Sequence, residues 1–579
     1  MNPRHGRRRP ARRILAVATA AAAFALSACS GGSFGNTTET PTNDGVMTIA
    51  LDDPTLTQFA KNWNYWAVGG KGVAPGMSLV YETLLGVDKS QPGKLVPALA
   101  ESYEMKNGGK KLVYHLRQGV TWSDGTEFTS KDVKWTYDRA IGDACTDKEK
   151  GEDGEVEYKC WVATKVKTPD DYTAVINFNE PDRQQVLNFA LWYPIFPEHI
   201  WSEKDVEKDQ NLDPVGTGPF TVKDFKPEIV KYQLRDDYWG GNSKGVKEVD
   251  IIPGVSVGGR QAQLSRGEID WTTGTAAGVM TDFVEPDPEN NHYRFYPNGG
   301  AYGVIFNHTT KPFDNLDVRR ALRAALDPTQ ARDAAAVGYT IPTPGGVDPE
   351  LYASMLTPEL AKPQAQDADL AKRALADSGF TVNAAGNLEK GGKEFPITLY
   401  INVSNNQDMQ AGPIFASQWK EVLGLNVKIQ TPAETVYNKK AARGQYPLFF
   451  GSVSGGSSLY FAYQGYSSGN TLAIGEDSPS VNYGRWKNDK VSDAAYGMQD
   501  VDPGDVAGNK PLATTIAEQA AAEAPFIATE GTGYQVMWTS RKWDGMPEVG
   551  AEYVPSLDNY QDATKTIMNM TPSAPKGAK

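Results

Sequence analysis

The sequence has 579 residues and a formal net charge of −13 at pH 7, and 40% of its residues are hydrophobic and 10% aromatic. This composition excludes a disordered chain, and the acidity argues against nucleic acid as a partner. The length is sufficient for two to four domain-sized units.

The N-terminal residues 1–28 form a predicted export signal. They contain six arginines and no acid, and an apolar run extends from Ile14 to Leu26. A run of this length is too short to span a membrane as a helix and is typical of a secretory signal. The signal ends Leu-Ser-Ala-Cys29, which resembles the bacterial lipobox, where the cysteine is lipidated and becomes the new N-terminus. We therefore predict lipidation at Cys29; the alternative is an ordinary signal cleaved after Ala28.

Residues 29–45 are a predicted flexible tether, because they are rich in Gly, Ser, Thr, Asn and Pro and have almost no apolar side chains to bury. The fold is expected to begin near Val46. No later stretch is long and apolar enough to cross a membrane. The sequence thus predicts a globular body held by a lipid at the extracytoplasmic face of the cell membrane.

Short predicted strands alternate with predicted helices along the globular body, which indicates an α/β protein. A strand is predicted over 112–117, and the turn dipeptide Asp124-Gly125 follows it. Thr129–Asp132 matches a capping box and predicts the start of a helix.

The later elements are also predicted from their caps and periodicity. A helix is predicted over 315–326, capped by Asn315 and ended by Pro328. Two further helices are predicted over 368–376 and 411–423, the second stopped by Gly424, and a strand over 426–430 follows.

Two cysteines, Cys145 and Cys160, flank an acidic stretch. Because an exported protein lies in an oxidising compartment, we predict that they form a disulfide that closes a surface loop. The acids between them do not have the spacing of an EF-hand, so a solvated charged loop is preferred to a calcium site. The four histidines of the body form no metal-ligand pair at short spacing, and neither a metal nor a cofactor is predicted.

Two enzyme-like patterns occur, and neither has the context that catalysis needs. Gly31–Gly35 matches Gly-x-Ser-x-Gly but lies in the tether, where no strand and helix can hold a nucleophile. Ser417–Lys420 matches the Ser-x-x-Lys pattern of penicillin-binding enzymes, but no Lys-Thr-Gly follows. We predict no enzymatic activity, and an exported penicillin-binding-type hydrolase remains the alternative from another class.

Seven segments in order resemble the family 5 solute-binding proteins of bacterial ABC importers, which bind dipeptides and oligopeptides. They cover nearly all of the chain after the tether. The segments are Leu95–Tyr103, Leu112–Ala140, Val215–Phe220 with Tyr238–Gly240 after it, Gly267–Asp270, Asp317–Leu322, Asn482–Arg485 and Ala524–Ile527.

The resemblance implies a two-lobed periplasmic-binding-protein-like fold of cluster C type, with discontinuous lobes and an extra third domain. It also implies a monomer that passes an oligopeptide-like solute to an ABC permease, whose ATPase partner supplies the energy. The implied lobe I is 46–85, 206–300 and 525–575, the extra domain is 86–205, and lobe II is 301–524.

The charged groups that dipeptide binders use have no counterpart at the matching positions. The segment that would carry an acid for the ligand amine is Phe449–Tyr460, which has no acid. The position of the carboxylate-binding arginine falls in Asn402–Asn406, which has no charge. A longer peptide held by its backbone, a blocked peptide or a neutral sugar therefore fits better than a free dipeptide, and an oligosaccharide ligand is the alternative.

The candidate ligand-binding residues are mostly aromatic. Because aromatic rings can stack on sugars or cover peptide side chains, they serve either ligand; their alternative role is in the core. The first candidates are Trp63 and Trp66 in the early loop, followed by Tyr460, Phe461 and Tyr463. Ser452 and Ser454, in the segment without an acid, are also candidates. Tyr302, which opens a predicted strand, and Trp271 are ranked lower, and Gly216 and Gly218 are expected to shape a tight turn.

Overall fold

The computed structural model describes residues 43–574, except 54, 67–72, 145–147, 151–155, 159–162, 275–277, 336–337, 456–457, 468–471, 478–481 and 558–559. The predicted signal peptide, most of the tether, the lipidation site Cys29 and the predicted disulfide pair Cys145 and Cys160 lie outside the described residues. None of the helices in the described ranges is long and apolar enough to cross a membrane.

Strands and helices alternate along the chain, as predicted for an α/β protein. The strands are β1 Val46–Ala50, β2 Leu85–Val87, β3 Leu95–Pro97, β4 Ala100–Lys106, β5 Lys111–Leu116, β6 Lys148–Lys150, β7 Val156–Tyr158, β8 Lys165–Asp170, β9 Thr173–Asn177, β10 Phe220–Lys226, β11 Ile229–Leu234, β12 Glu248–Ile252, β13 Trp271–Thr273, β14 Asn291–Phe306, β15 Thr381–Val382, β16 Leu388–Lys390, β17 Lys393–Phe395, β18 Thr398–Tyr400, β19 Lys428–Gln430, β20 Leu448–Ser454, β21 Phe526–Thr539, β22 Trp543–Asp544 and β23 Thr571–Pro572. The helices are α1 Met77–Val80, α2 Ser130–Ala144, α3 Gln185–Trp192, α4 Glu198–Trp201, α5 Val257–Arg266, α6 Leu316–Ala324, α7 Pro328–Ala335, α8 Ala368–Asp377, α9 Asn406–Leu423, α10 Glu434–Ala442, α11 Leu459–Tyr463, α12 Asp489–Gly497, α13 Val506–Glu523 and α14 Tyr560–Asn569.

Side-chain caps fix the starts of several helices. The Asn315 side chain accepts hydrogen bonds from the backbone N–H groups of Asp317 and Val318, as predicted. Pro328 does not simply end α6; it is the first residue of α7, where its fixed φ and missing N–H are tolerated. Helix α9 begins five residues before the predicted start because Asn405 caps it, and it ends at Gly424 with φ 76°, as predicted.

One ten-stranded sheet runs through the molecule in the order β10-β11-β12-β1-β13-β21-β14-β20-β18-β19. The long antiparallel strands β14 and β21 form its centre. On one side, β21 pairs with β13; on the other, β14 pairs with β20. The two lobes are therefore joined by two paired strands and share one sheet.

The pairing of β14 with β21 is irregular between Pro297 and Ala301. Opposite this stretch lie Gly531 and Gly533, where added side chains would clash: a Cβ at Gly533 would lie 2.2 Å from the carbonyl oxygen of Tyr296. We propose that the chain passes between lobes here. The first predicted boundary between the lobes, at 300/301, lies in this stretch. For the second boundary, predicted at 524/525, we propose 531–533 instead, because Phe526 and Ala528 pack in a core of lobe II.

Residues 86–205, which we propose form the inserted domain, contain a four-stranded sheet in the order β4-β5-β9-β8 and the helices α2–α4. Its apolar side chains belong to the same buried cluster as those of lobe I, including Met47 and Ile251. Lobe II has two separate cores, one on each face of its part of the sheet, typified by Phe449 and Phe450. The inserted domain therefore packs as an extension of lobe I.

Candidate ligand-binding site

A cavity of about 470 Å³ lies where the ends of β1 and β13 meet the middle of β21, the first turns of α5 and the loop before α9. Ser404, in the loop before α9, is its contribution from lobe II; the remaining residues belong to lobe I or to the lobe crossing. The lining residues are Ile49–Asp52, Val257, Arg260, Trp271, Thr273, Gly274, Ser404, Gly533–Gln535, Ser556 and Leu557.

Arg260, in the first turns of α5, is buried in the cavity wall and is only partly bonded. Its Nη1 donates to the backbone carbonyl oxygens of Asp52 at 3.1 Å and Val255 at 2.7 Å. Its Nε is buried and has no hydrogen-bond partner among the described residues. Burial lowers the pKa of the Arg260 guanidinium, and the charge of Asp52 partly offsets this effect. One edge of the guanidinium is thus unused by the protein.

Two further buried polar atoms without a partner lie on the same cavity. The indole Nε1 of Trp271 and the amide Oε1 of Gln535 make no hydrogen bond within the described part of the chain. Buried polar groups are almost always hydrogen-bonded, because leaving one unpaired costs about 1–3 kcal/mol. The cavity wall therefore holds two unpaired donors, on Arg260 and Trp271, and one unpaired acceptor, on Gln535. A bound molecule can form hydrogen bonds with all three.

Tyr339 fixes the orientation of Gln535. Its hydroxyl accepts hydrogen bonds from Nε2 of Gln535 and, at 2.5 Å, from Nε2 of Gln407 in the first turn of α9. Its ring packs on Phe295 with centroids 4.3 Å apart. Because the amide nitrogen of Gln535 is held in this way, its oxygen remains available, and the first turn of α9 is tied to β21 beside the cavity.

Two buried acids, Asp408 and Glu530, lie near the lobe crossing. Neither carboxylate oxygen of Asp408, nor Oε1 of Glu530, has a partner among the residues that the structure describes. Burial raises the pKa of Asp408 to about 9, with a further contribution from Glu530, and burial raises the pKa of Glu530 to about 7. Near neutral pH, Asp408 is therefore largely protonated and Glu530 about half protonated, and neither residue was predicted from the sequence.

Residues 94–472 match the family model for bacterial extracellular solute-binding proteins, family 5 Middle. The chain belongs to this family. It is 28% identical over 443 residues to the oligopeptide-binding protein AppA of Bacillus subtilis (strain 168). The aligned region covers 73% of this chain and 76% of AppA.

The solved structures show the same fold. A periplasmic oligopeptide-binding protein of an oligopeptide ABC transporter from Thermotoga maritima has a TM-score of 0.77 at 22% identity, covering 91% of this chain and 99% of that one. A mannohexaose-bound structure of the same description and organism has a TM-score of 0.68 at 22% identity, covering 92% and 99%. The predicted two-lobed family 5 fold is thereby confirmed.

Trp63 is placed in the core of this family 5 chain and not in its cavity. It has 0% exposed surface, its Nε1 donates to the Tyr232 hydroxyl at 3.1 Å, and its ring packs on Phe225. Because Trp63 does not line the cavity and its indole N–H already bonds to Tyr232, the structure favours a core role, and its predicted contact with ligand stays a prediction. Trp66 is half-buried among Tyr65, Trp135 and Phe196, and it does not line the cavity either.

The hydroxyl of Ser454 is used by the fold. It accepts from the backbone N–H of Ala301 at 3.0 Å and donates to the carbonyl oxygen of Gly346. Ser454 is therefore a structural residue and not the ligand residue that we predicted. Ser452 is half-buried and donates to the carbonyl oxygen of Ser454 at 3.4 Å; it faces the same side of the sheet as its strand partner Tyr302, which is also half-buried.

The predicted aromatic candidates on α11 lie apart from the cavity. Tyr460 is buried, and its hydroxyl accepts from Nε2 of Gln499 at 3.2 Å; Tyr463 is fully buried, whereas Phe461 is half-buried. Trp271, ranked low from sequence, is the aromatic candidate that the structure places in the cavity wall. Gly216 and Gly218 allow close backbone packing, since a Cβ at Gly216 would lie 1.9 Å from the Val80 carbonyl oxygen.

Other surfaces are less suited to enclosing a solute. A groove of about 520 Å³ is lined by residues between Lys131 and Val206 alone, so lobe II does not contribute to it. Ser417 and Lys420, the penicillin-binding-type pair, are exposed on α9 and do not line the cavity. Within the described ranges, no group of three or more His, Cys, Asp or Glu side chains is arranged to hold a metal ion.

Proposed function

We propose that this chain is an extracytoplasmic receptor that captures an oligopeptide between its two lobes and delivers it to the permease of an ABC importer. The observation that carries the proposal is the cavity at the lobe junction, with unpaired polar atoms of Arg260, Trp271 and Gln535 in its wall. Its size falls within the range of about 300–1,000 Å³ that is usual for small-ligand sites.

The position of the cavity suits capture by closure. It lies beside the only two strands by which the described main sheet passes from one lobe to the other. Its lining includes Ser404 of lobe II as well as Arg260 and Trp271 of lobe I. A small rotation about β14 and β21 changes the distance between these walls, as in hinge closure. Expelling water from the closed site strengthens each polar contact with the solute.

An oligosaccharide is the second candidate for the solute. The observation in its favour is the mannohexaose bound to a Thermotoga maritima protein of the same fold. Trp271 and Tyr534 line the cavity here and offer aromatic surface on which a sugar ring can stack.

We also propose that the receptor is a monomeric lipoprotein of the cell membrane. The lipobox resemblance supports lipidation at Cys29, and the tether over 29–45 allows the body to reach the permease. Cys145 and Cys160 are proposed to form a disulfide in the inserted domain. Mass spectrometry of unreduced peptides tests the disulfide, and the mass of the N-terminal peptide tests the lipid.

Native mass spectrometry of the purified chain, with fragmentation of any co-purifying solute, tests the main proposal. A ladder of peptide masses is expected, whereas hexose or pentose spacing would favour the sugar. Thr273→Trp fills part of the cavity and should abolish co-purification. The control Thr281→Trp places the same side chain at an exposed position outside the cavity and should leave the co-purification of solute unchanged.

A further inference from the structure

The guanidinium of Arg260 has a cationic edge that makes no hydrogen bond in the described part of the chain. The two hydrogen bonds that this side chain donates to the protein both come from Nη1. Neither Nε nor Nη2 donates to any residue in the described part of the chain. Arg260 also makes no ion pair with a described carboxylate, although it is only 1% exposed. The carboxylate of Asp52 lines the same cavity and partly offsets the charge of Arg260, but it makes no hydrogen bond or ion pair with the guanidinium. A buried charge without a bonded counter-charge is costly, so this edge favours an anionic partner.

The surroundings of Arg260 reinforce that preference. Trp271, 1% exposed and on the same cavity, holds an unpaired indole N–H. Arg260 lies near the start of α5, whose N-terminus is capped by Ser256 and carries the positive end of the helix dipole.

We propose that the Nε–Nη2 edge of Arg260, together with the indole N–H of Trp271, binds a carboxylate of the captured solute. A carboxylate matches the two parallel N–H groups of a guanidinium edge, and its remaining lone pair can accept from the indole. This inference rests on the proposed function and names the chemistry of its solute: a peptide with a free carboxylate, supplied by its C-terminus or by an acidic side chain.

The inference revises the expectation of an uncharged site. Sequence comparison placed the carboxylate-binding position in Asn402–Asn406, where no cation occurs. In the structure that loop supplies Ser404 to the cavity, and the cation comes from a different element, α5.

The test uses two libraries of tripeptides to pentapeptides without acidic side chains, one as free acids and one as C-terminal amides. Binding to the purified full chain is measured by native mass spectrometry and calorimetry. We expect the free acids to bind at least about tenfold more tightly than the amides. Equal affinity for acids and amides would overturn the carboxylate site while leaving a peptide receptor intact.

Three variants locate the effect. Arg260→Gln should abolish the preference for acids, and Trp271→Phe, which removes only the indole N–H, should reduce it severalfold. Arg266→Gln is the matched control, because Arg266 is on the same helix but is exposed and paired with Glu268. A preference that survives in folded Arg260→Gln contradicts the inference, and if that variant does not fold, Trp271→Phe decides.

Two outcomes concern the proposed function itself. If neither library binds and mannohexaose does, the solute is a sugar and both the peptide proposal and the carboxylate site are wrong. If acids and amides both bind to the wild type and neither binds to Thr273→Trp, the cavity is the peptide site. The ratio of the two affinities then decides whether Arg260 binds a carboxylate.

Discussion

The side chain of Gln184 donates a hydrogen bond of 2.7 Å to the backbone carbonyl oxygen of Val501, 317 residues later in the chain. The same amide donates to the carbonyl oxygen of Met498 at 3.0 Å. Gln184 belongs to the inserted domain, and Met498 and Val501 follow α12 in lobe II. The molecule is thus bridged at a second place besides the two crossing strands, and this bridge must change if the lobes move apart.

Gln184→Ala is expected to weaken solute binding about 5- to 10-fold, because it leaves buried carbonyl oxygens of lobe II without a donor and so destabilises the closed form. Calorimetry with the co-purifying solute measures this effect. Arg183→Gln is the comparison: it removes an exposed ion pair with Asp502, of 2.8 Å, which should contribute little. A larger loss in Arg183→Gln than in Gln184→Ala would contradict the assignment of the bridge to Gln184.

Asp408→Asn is expected to stabilise the protein at pH 8 by about 2 kcal/mol. The pKa of Asp408 is about 9 and that of Glu530 about 7 in the folded protein, whereas carboxyls of an unfolded chain titrate near pH 4. The folded state therefore holds more protons than the unfolded state, and stability falls as the pH rises from about 4 to 9.

Urea unfolding of wild type and Asp408→Asn at pH 5 and pH 8 measures the difference. The gain should be larger at pH 8, because the unfolded wild type has then lost the Asp408 proton that the folded state keeps, and taking up this proton opposes folding. Glu421→Gln, on the exposed face of the same helix, is the control and should show no such pH dependence. An equal gain at both pH values would show that ionisation of Asp408 is not the cause.

Gly533→Ala is expected to lower the stability by at least about 2 kcal/mol, because the new methyl group would lie 2.2 Å from the backbone oxygen of Tyr296 and against the Phe295 ring. Gly258→Ala is the matched control: its methyl group meets no atom within 4 Å, and helix propensity favours it slightly. Thermal midpoints of the two variants test the difference, and a Gly533→Ala midpoint equal to the wild type would argue against a tight crossing here.

Trp63→Ala is expected to destabilise the fold by about 3–5 kcal/mol, the usual cost of removing a fully buried large aromatic side chain. Trp192→Ala, at a tryptophan that is 60% exposed, should change the unfolding midpoint little. Both midpoints are measured in urea. Normal stability together with lost solute binding in Trp63→Ala would restore Trp63 to the binding site.

The sequence was informative where local chemistry decides structure. The caps at Asn315 and Gly424 and the strand over 112–117 depend on neighbouring residues only, and the structure contains all three. Pro328 was misjudged because a proline is equally suited to follow one helix and to begin the next.

The binding site was harder to predict because it depends on contacts between distant segments. Trp63 and Trp271 are both buried tryptophans. They differ because the indole N–H of Trp63 bonds to Tyr232, whereas that of Trp271 has no described partner and its side chain lines the cavity. Arg260 looked like an ordinary helix residue, since nothing near it in sequence shows that one edge of its guanidinium has no partner.

The shared sheet has a consequence for the thermodynamics of capture. Because β14 and β21 stay paired through both lobes, a rotation about them conserves the backbone hydrogen bonds on either side. The receptor then neither folds nor unfolds when it binds. Its heat-capacity change on binding should report the apolar area removed from water on the solute, on the cavity walls and at the lobe contact that Gln184 bridges, the last being common to all solutes. Calorimetry at several temperatures can therefore rank solutes by buried apolar area, without a correction for folding of the receptor.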